Sequence, residues 1–382
     1  MRVVIFCHSL VSDWNHGNAH FLRGVCSELQ ARGHGVTVYE PRDAWSVQNL
    51  VADAGESAIA AFRRAYPHLS SVRYDLAELD LDEALDAADL VLVHEWSDHA
   101  LVRRVGEHRA RSARPYVLLF HDTHHRAVTA PEQMAAYDLD GYDGVLAFGE
   151  VLRDVYVARG WSRRAYVWHE AADVRVFGPR PGTTPEGELV WIGNWGDEER
   201  SAELHEFLLD PVRDLKLRAR IHGVRYPEHA RAALAAAGIE YRGYLPNHRA
   251  PEVFAAHRVT VHVPRGPYVR ALPGIPTIRV FEALACGIPL VSSPWDDAEH
   301  LFTPGADFLV ARSGGEMRDH LRSLVGDARA REELSRHGLR TVLARHTCGH
   351  RVEELTSIVE RIAGTADGAG SPVTHPLTSL SP

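Results

Sequence analysis

Residues 272–297, LPGIPTIRVFEALACGIPLVSSPWDD, carry the pattern with the most chemical content. A Pro-Gly-Ile-Pro turn leads to Thr277, a helical run from Ile278 to Cys286 follows, Gly287 is placed to end it, and a strand starts at Pro289. A loop feeding a helix amino terminus gathers unpaired backbone N–H groups and the positive end of the helix dipole, which suits an anion. Backbone at Ile278, the Thr277 hydroxyl and the Arg279 charge would supplement that end. Glu282, one turn further in, is a carboxylate that can accept from two vicinal hydroxyls such as those of a ribose. Anion and diol together are the layout of a nucleoside diphosphate. The same spacing also fits a plain amphipathic helix with a capping Thr and a solvated Glu.

Other polar groups fall at the ends of apolar runs. His16-Gly17-Asn18 follows the first run and precedes a helix, so Gly17 lets backbone approach a ligand closely, and Asn18 is placed to cap. FHDTHHR (120–126) has metal-competent side chains, but His124 and His125 are adjacent and no second cluster with recognisable spacing accompanies them, so no metal is expected. Glu95 and Glu170 follow His94 and His169 at two further run ends, where they fit an acceptor-side base, a hydroxyl binder or a solvated charge. Trp195, Arg265, Tyr268 and Arg270 fall on loops that would face the same side, for stacking or for packing.

The elements that must position these groups are strands alternating with helices. Apolar runs at Val3–Cys7, Val36–Tyr39, Leu90–Val93, Tyr116–Phe120, Val145–Phe148 and Tyr166–Trp168 have strand length. Between them lie stretches with helical spacing, such as Phe21, Leu22, Val25 and Leu29 before Gly33. A Pro- and Gly-rich stretch, Phe177 to Glu188, has no periodicity and reads as a linker. The alternation then restarts at Leu189–Ile192, Ala219–His222, Ile239–Tyr244, Val259–Val263, Pro289–Ser292 and Phe308–Val310. The expected class is α/β: two doubly wound domains facing across a cleft, with ligands at the carboxyl ends of their strands. The expected boundaries are 1–172, 173–345, a terminal helix in 346–363 whose apolar stripe is Val352, Leu355, Ile358, Val359 and Ile362, and a disordered tail, 364–382.

Composition narrows the class. At 382 residues the chain exceeds the ~150-residue domain prior more than twofold. Its 45% hydrophobic and 24% charged residues are those of a globular protein. A net charge of −9 argues against broad capture of a nucleic-acid backbone. Lys216 is the one lysine, so any anion site must be built from arginine or backbone. Cys7, Cys26, Cys286 and Cys348 show no paired spacing, which suggests a reducing compartment. The amino terminus reads as a strand and not a signal peptide, and no run approaches a membrane span, so the expectation is a cytoplasmic protein or one peripheral at the inner membrane face.

RVFEALACGIPLVSSPW, followed by LFTPGADFLV and ARHTCGHRVEELTSIV, resembles the carboxyl-terminal domain of GT-B glycosyltransferases of the spore-maturation (CgeB-type) group, and more distantly those of family 4. Weaker similarity covers most of residues 1–362. The resemblance implies two Rossmann-like domains, the second holding a nucleotide-sugar donor and the first an acceptor, with the terminal helix crossing back to the first. It implies that Glu282 binds the donor ribose, that backbone around Thr277 and Ile278 meets the diphosphate with Arg279, and that Gly17, Asn18, Gly193, Asn194 and Arg200 lie near the donor. His121 matches a histidine that faces the donor sugar, and Glu170 is a second catalytic candidate. Family 4 has another glutamate eight positions before the ribose glutamate, where this chain has Gly274, so the donor-sugar contact is unassigned. The implied reaction is retaining, metal-independent and cofactor-free glycosyl transfer. The expected donor is a UDP-sugar, with GDP or dTDP as alternatives, and the acceptor is an unidentified glycan, lipid-linked or small molecule. An epimerase of the same fold and a non-catalytic nucleotide-sugar binder are the competing readings.

Overall fold

The structure is a computed structural model and describes residues 1–196 and 198–368. Its first half holds a seven-stranded sheet of β1 (Arg2–Phe6), β2 (Gly35–Pro41), β3 (Val72–Tyr74), β4 (Leu90–His94), β5 (Val117–Asp122), β6 (Gly144–Ala147) and β7 (Ala165–Val167). Their order is β3-β2-β1-β4-β5-β6-β7, every pairing parallel. The second half holds β8 (Gly187–Ile192), β9 (Ala219–His222), β10 (Glu240–Tyr241), β11 (His257–His262), β12 (Leu290–Ser292) and β13 (Leu309–Val310), in the order β10-β9-β8-β11-β12-β13, again all parallel. Central strands are buried on both faces, as in LVLVH of β4, because helices cover each side. In both sheets the winding reverses beside the first strand, between β1 and β4 and between β8 and β11. Such reversals open crevices at the carboxyl ends of the strands.

Four helices matter for the site. Helix α1 (Ala19–Ala31) follows β1, and α2 (Ile278–Cys286) precedes β12. The bounds of α2 follow from its ends: Thr277 is extended, and Gly287 takes the left-handed conformation at φ +68° that stops the helix. Helices α3 (Ala328–Arg345) and α4 (Cys348–Gly368) close the chain. Helix α4 lies on α1, in the first half. Its entry is pinned by paired backbone bonds, Ala172 N–H to His346 O and Cys348 N–H to Ala172 O, both 3.0 Å. Trp168 Nε1 donates to Arg351 O at 2.8 Å. Gly24 permits the close approach, since a Cβ there would stand 2.4 Å from Cys348 Sγ. Leu22 and Val25 of α1, Phe281 of α2 and Val352 and Leu355 of α4 share one hydrophobic core, so the two halves are packed together and not merely tethered.

The expected helix in 346–363 is shifted: it begins at Cys348 and continues to Gly368, into the stretch read as a disordered tail, because no proline interrupts the backbone before Pro372. The rest of that tail, 369–382, lies outside the described residues. No helix among the described residues is long and apolar enough to cross a membrane.

Candidate active site

A cavity of about 890 Å³ lies between the two halves, lined by loops at the carboxyl ends of β1, β2, β4 and β5 on one side and β8, β9, β10 and β11 on the other, with the start of α2. Both winding reversals therefore open into it. Among the described residues, four arginines line it, Arg200, Arg225, Arg265 and Arg279, all from the second half, and no lysine or arginine lines it from the first.

Seven of the eleven sequence candidates meet around the amino terminus of α2 or just opposite it. Gly17, Asn18, Glu170, Thr277, Ile278 and Arg279 line the cavity, and Gly193 faces them from the β8 loop. A Cβ on Gly17 would lie 3.4 Å from Ile278 Cγ2, so the first-half glycine loop and the helix start are in direct apposition. Thr277 Oγ1 hydrogen-bonds to His262 Nε2 at 3.2 Å. Glu170 stands at the place the sequence reserves for an anion, beside the Ile278 N–H, and Asn18 Nδ2 donates to its Oε1 at 2.9 Å. Burial pushes this carboxyl up to about 7 and the nearby Glu282 charge adds to the rise, while the Asn18 bond works against it.

Asn194 and Arg200 also line the cavity but are partly committed to structure. Asn194 Nδ2 donates across the cleft to Asn15 Oδ1, and its Oδ1 accepts the Val224 N–H at 2.9 Å. Arg200 is sunk over the Trp191 ring and donates to Asn194 O and Val263 O. Burial, with the Arg265 charge beside it, lowers the Arg200 guanidinium to about 10, which leaves it charged at neutral pH.

Two candidates sit elsewhere. His121 is 1% exposed and does not reach the cavity. The pleat of β5 turns it toward Phe21 and Trp168, whose rings lie 6.0 and 4.8 Å away, and Thr123, His124 and His125 reach the cavity in its place. Burial lowers the His121 imidazole to about 3. Glu282 is fully buried and bridges the halves. It accepts from His20 Nδ1 at 2.7 Å, from Asn247 Nδ2 at 3.0 Å and from Arg279. The Asp173 N–H donates to His20 Nε2, so that nitrogen carries no proton and Nδ1 is the donor to Glu282. Burial alone would raise the Glu282 carboxyl, but Arg279, His20 and Asn247 together hold it below the ordinary carboxylate value.

Gly274 explains the missing family-4 glutamate. Its φ is +89°, and a Cβ there would lie 3.1 Å from Glu299 Cγ. The Glu299 carboxylate already fills that corner, bound by the Glu150 N–H at 2.9 Å and by His169 Nε2 at 2.7 Å.

Glu95 is buried under the cavity floor, bound to Arg126. Burial first, then the Asp122 charge, pushes its carboxyl up to about 8. Trp195 packs in the second-half core and Arg270 lies off the cavity, whereas Arg265 and Tyr268 line it. Trp14, Trp45 and Arg225 also line it, and the sequence reading had not singled them out. Among the described residues no three His, Cys, Asp or Glu side chains are grouped to hold a metal ion.

Paired parallel sheets with a cleft at their carboxyl edges are the GT-B fold, shared with solved glycosyltransferases. The sucrose-phosphate synthase of Thermosynechococcus elongatus aligns with a TM-score of 0.67 at 13% identity, over 96% of this chain and 100% of that one. An α-glucosyltransferase in complex with UDP-glucose and DNA containing an abasic site aligns at 0.70 and 12%, over 94% and 99%. Anabaena HepE in complex with UDP-glucose aligns at 0.64 and 13%, over 96% and 100%. No curated protein matches the chain significantly. The glycosyl transferase-like family model matches residues 200–357, the stretch that carries Arg200, Arg225, Arg265 and α2. The chain thus has the GT-B fold, with a glycosyl transferase-like domain over residues 200–357.

Proposed function

We propose that this protein transfers a glycosyl group from a nucleoside diphosphate sugar to an acceptor bound against its first half, with a UDP-sugar as the expected donor and GDP or dTDP as alternatives. The observation that carries the reading is the convergence of four arginines and the start of α2 on one wall of the interdomain cavity. A diphosphate carries the charge that such a wall is built to meet, through guanidinium donors and backbone N–H groups. The donor nucleotide therefore lies against the second half, with its diphosphate near Thr277, Ile278 and Arg279 and the Gly193-Asn194 loop close by. Complexes of fold neighbours with UDP-glucose support the choice of nucleotide.

Transfer breaks the bond from the anomeric carbon to the diphosphate oxygen and forms one to an acceptor hydroxyl oxygen, whose proton leaves with the departing diphosphate. Arginines and helix-end N–H groups offset the charge that builds on that diphosphate, the role a metal plays in other enzymes. Reaction from the diphosphate-bearing face retains the anomeric configuration, which is the outcome proposed here. Glu170 is the carboxyl placed to meet the donor at its sugar end, since Gly274 leaves that contact open. Protonated near neutrality, it can donate to a phosphate or sugar oxygen. Neither His121 nor Glu282 touches the donor in this arrangement; Glu282 anchors Arg279, which does.

The test is calorimetric titration of the full chain with UDP, GDP and dTDP, followed by nucleotide release from the matching sugar conjugates, on wild type and Arg279→Ala. Expected is saturable binding of one nucleotide, weakened roughly tenfold or more in Arg279→Ala through loss of a charged hydrogen bond. Failure of every nucleotide to bind would overturn the proposal. Binding with no release in the presence of any acceptor would favour the non-catalytic binder that Gly274 keeps in view.

A further inference from the structure

The cavity is chemically divided, and its first-half wall has an occupant of its own. We infer that the acceptor is an uncharged saccharide, seated on Trp14, Trp45 and Trp96; this rests on the donor lying against the opposite wall.

All three tryptophans are half-buried and line the cavity, from the loops after β1, β2 and β4. Each is held in place from behind or at its edge. Trp14 Nε1 donates to Asp53 Oδ2 at 2.9 Å. The Trp45 ring packs on His8 at 4.5 Å and meets the Trp14 ring nearly edge-on at 6.4 Å. Trp96 has the Arg126 guanidinium over one face at 4.1 Å, and that guanidinium is held there by donating to Glu95. Fixed aromatic faces bordering a wet cavity suit the C–H face of a pyranose, which is apolar on one side and hydroxylated at its edge.

The hydroxyl edge also has partners waiting. His16 Nε2 and Asn18 Oδ1 are buried, belong to cavity-lining residues, and have no hydrogen-bond partner, while His125 Nε2 faces Glu199 Oε2 at 3.7 Å. A buried polar atom left unpaired costs free energy, so the His16 and Asn18 atoms are suited to a ligand that supplies the bond. Burial, reinforced by the His8 and Arg23 charges, lowers the His16 imidazole to about 3. At neutral pH it is uncharged, with one donor and one acceptor nitrogen, a match for hydroxyls and a poor one for phosphate.

Nucleic acid is the competing occupant, given the fold neighbour solved with DNA. Its backbone would have to be held by cations, and among the described residues no lysine or arginine lines this wall.

The experiment measures UDP release from UDP-glucose by the full chain with methyl glucosides, maltose, cellobiose and diacetylchitobiose as acceptors, and with a short duplex DNA. Trp45→Ala and Trp45→Phe are run alongside, and UDP affinity serves as the folding control. Expected is acceleration by at least one saccharide and none by DNA, with the saccharide KM raised roughly tenfold in Trp45→Ala and largely restored in Trp45→Phe. If UDP binds but no saccharide accelerates its release, if DNA does so instead, or if Trp45→Ala leaves the saccharide KM unchanged, the acceptor assignment falls while the donor reading stands. If neither UDP nor GDP nor dTDP binds, both fall; if only GDP or dTDP binds, the same acceptors are read with that nucleotide's glucose conjugate, and the same outcomes decide.

Discussion

Replacing Glu282 by alanine should unfold the protein at a lower temperature before it changes nucleotide binding. The carboxylate is fully buried and is the shared acceptor for His20 of α1, Asn247 of the β10 loop and Arg279 of α2. Removing it strands two buried donors, because His20 is 1% and Asn247 4% exposed, whereas Arg279 can turn toward the cavity. Deleting one partner of a buried pair typically costs about 3–5 kcal/mol. At roughly 2–4 °C per kcal/mol for a domain of this size, Tm should fall by on the order of 10 °C. Glu282→Gln keeps one oxygen for His20 and Asn247 but turns an amide toward Arg279, so it should cost about 1.5–3 kcal/mol. The carboxyl is held below the ordinary value of 4.5, so its stabilising share is complete above that pH and is lost as pH falls through the lower folded value. The gap between wild type and Glu282→Gln, followed by differential scanning fluorimetry, should therefore close on acidification. A Tm within about 2 °C of wild type for Glu282→Ala, together with lost UDP binding, would refute the strut and return Glu282 to the ribose.

Three further outcomes are expected. UDP release should fall as pH rises through about 7, where Glu170 loses its proton, and Glu170→Gln should remove that inflexion. Because the folded value lies above the ordinary 4.5, wild type loses stability as pH rises from 4.5 to about 7, so Glu170→Gln should gain on it in Tm across that range. Gly274→Glu should restore no donor contact and should destabilise by about 1–3 kcal/mol, because φ is +89° and Glu299 occupies the space, as chemical denaturation would show. Gly24→Ala places a methyl within 2.8 Å of Asp173 Cβ and nearer still to Cys348 Sγ, so it should cost about 1–3 kcal/mol and expose the α1–α4 seam to proteolysis.

The architecture was legible because buried parallel strands announce themselves as continuous apolar runs, and twelve of these fall on the strands now seen. The exception, β3, is three residues at a sheet edge, VRY, with only Tyr74 buried, and so brief a run has no pattern to detect. Helix α2 was readable to its last residue because Thr277 and Gly287 fix its ends through local geometry alone. The last helix was not, since its backbone runs on through Gly364 to Gly368, where the glycine- and serine-rich composition suggested an end.

The site was legible by position and not by exposure. Strand ends and the start of α2 were correctly located because connectivity dictates where loops go. Which side chain at a strand end faces the cavity depends on where the strand stops: His121 is still inside β5, which ends at Asp122, whereas Thr123 and His125 lie past that end and reach the cavity. Carboxylates show the same limit more sharply. Glu282 lies in the stronger motif, yet its partners come from positions 20, 247 and 279, a convergence no local spacing encodes, and they consume it. Glu170 lies in no comparable motif, yet the chain delivers it from the first half to the Ile278 N–H in the second, at the cavity wall. The amino terminus of α2 was expected to hold an anion; the structure places there a carboxyl of its own chain, raised to about 7 by burial. A carboxyl that is half-protonated near neutrality can yield that place to a diphosphate at less electrostatic cost than a permanently charged one, and this makes an occupied helix end compatible with a donor site.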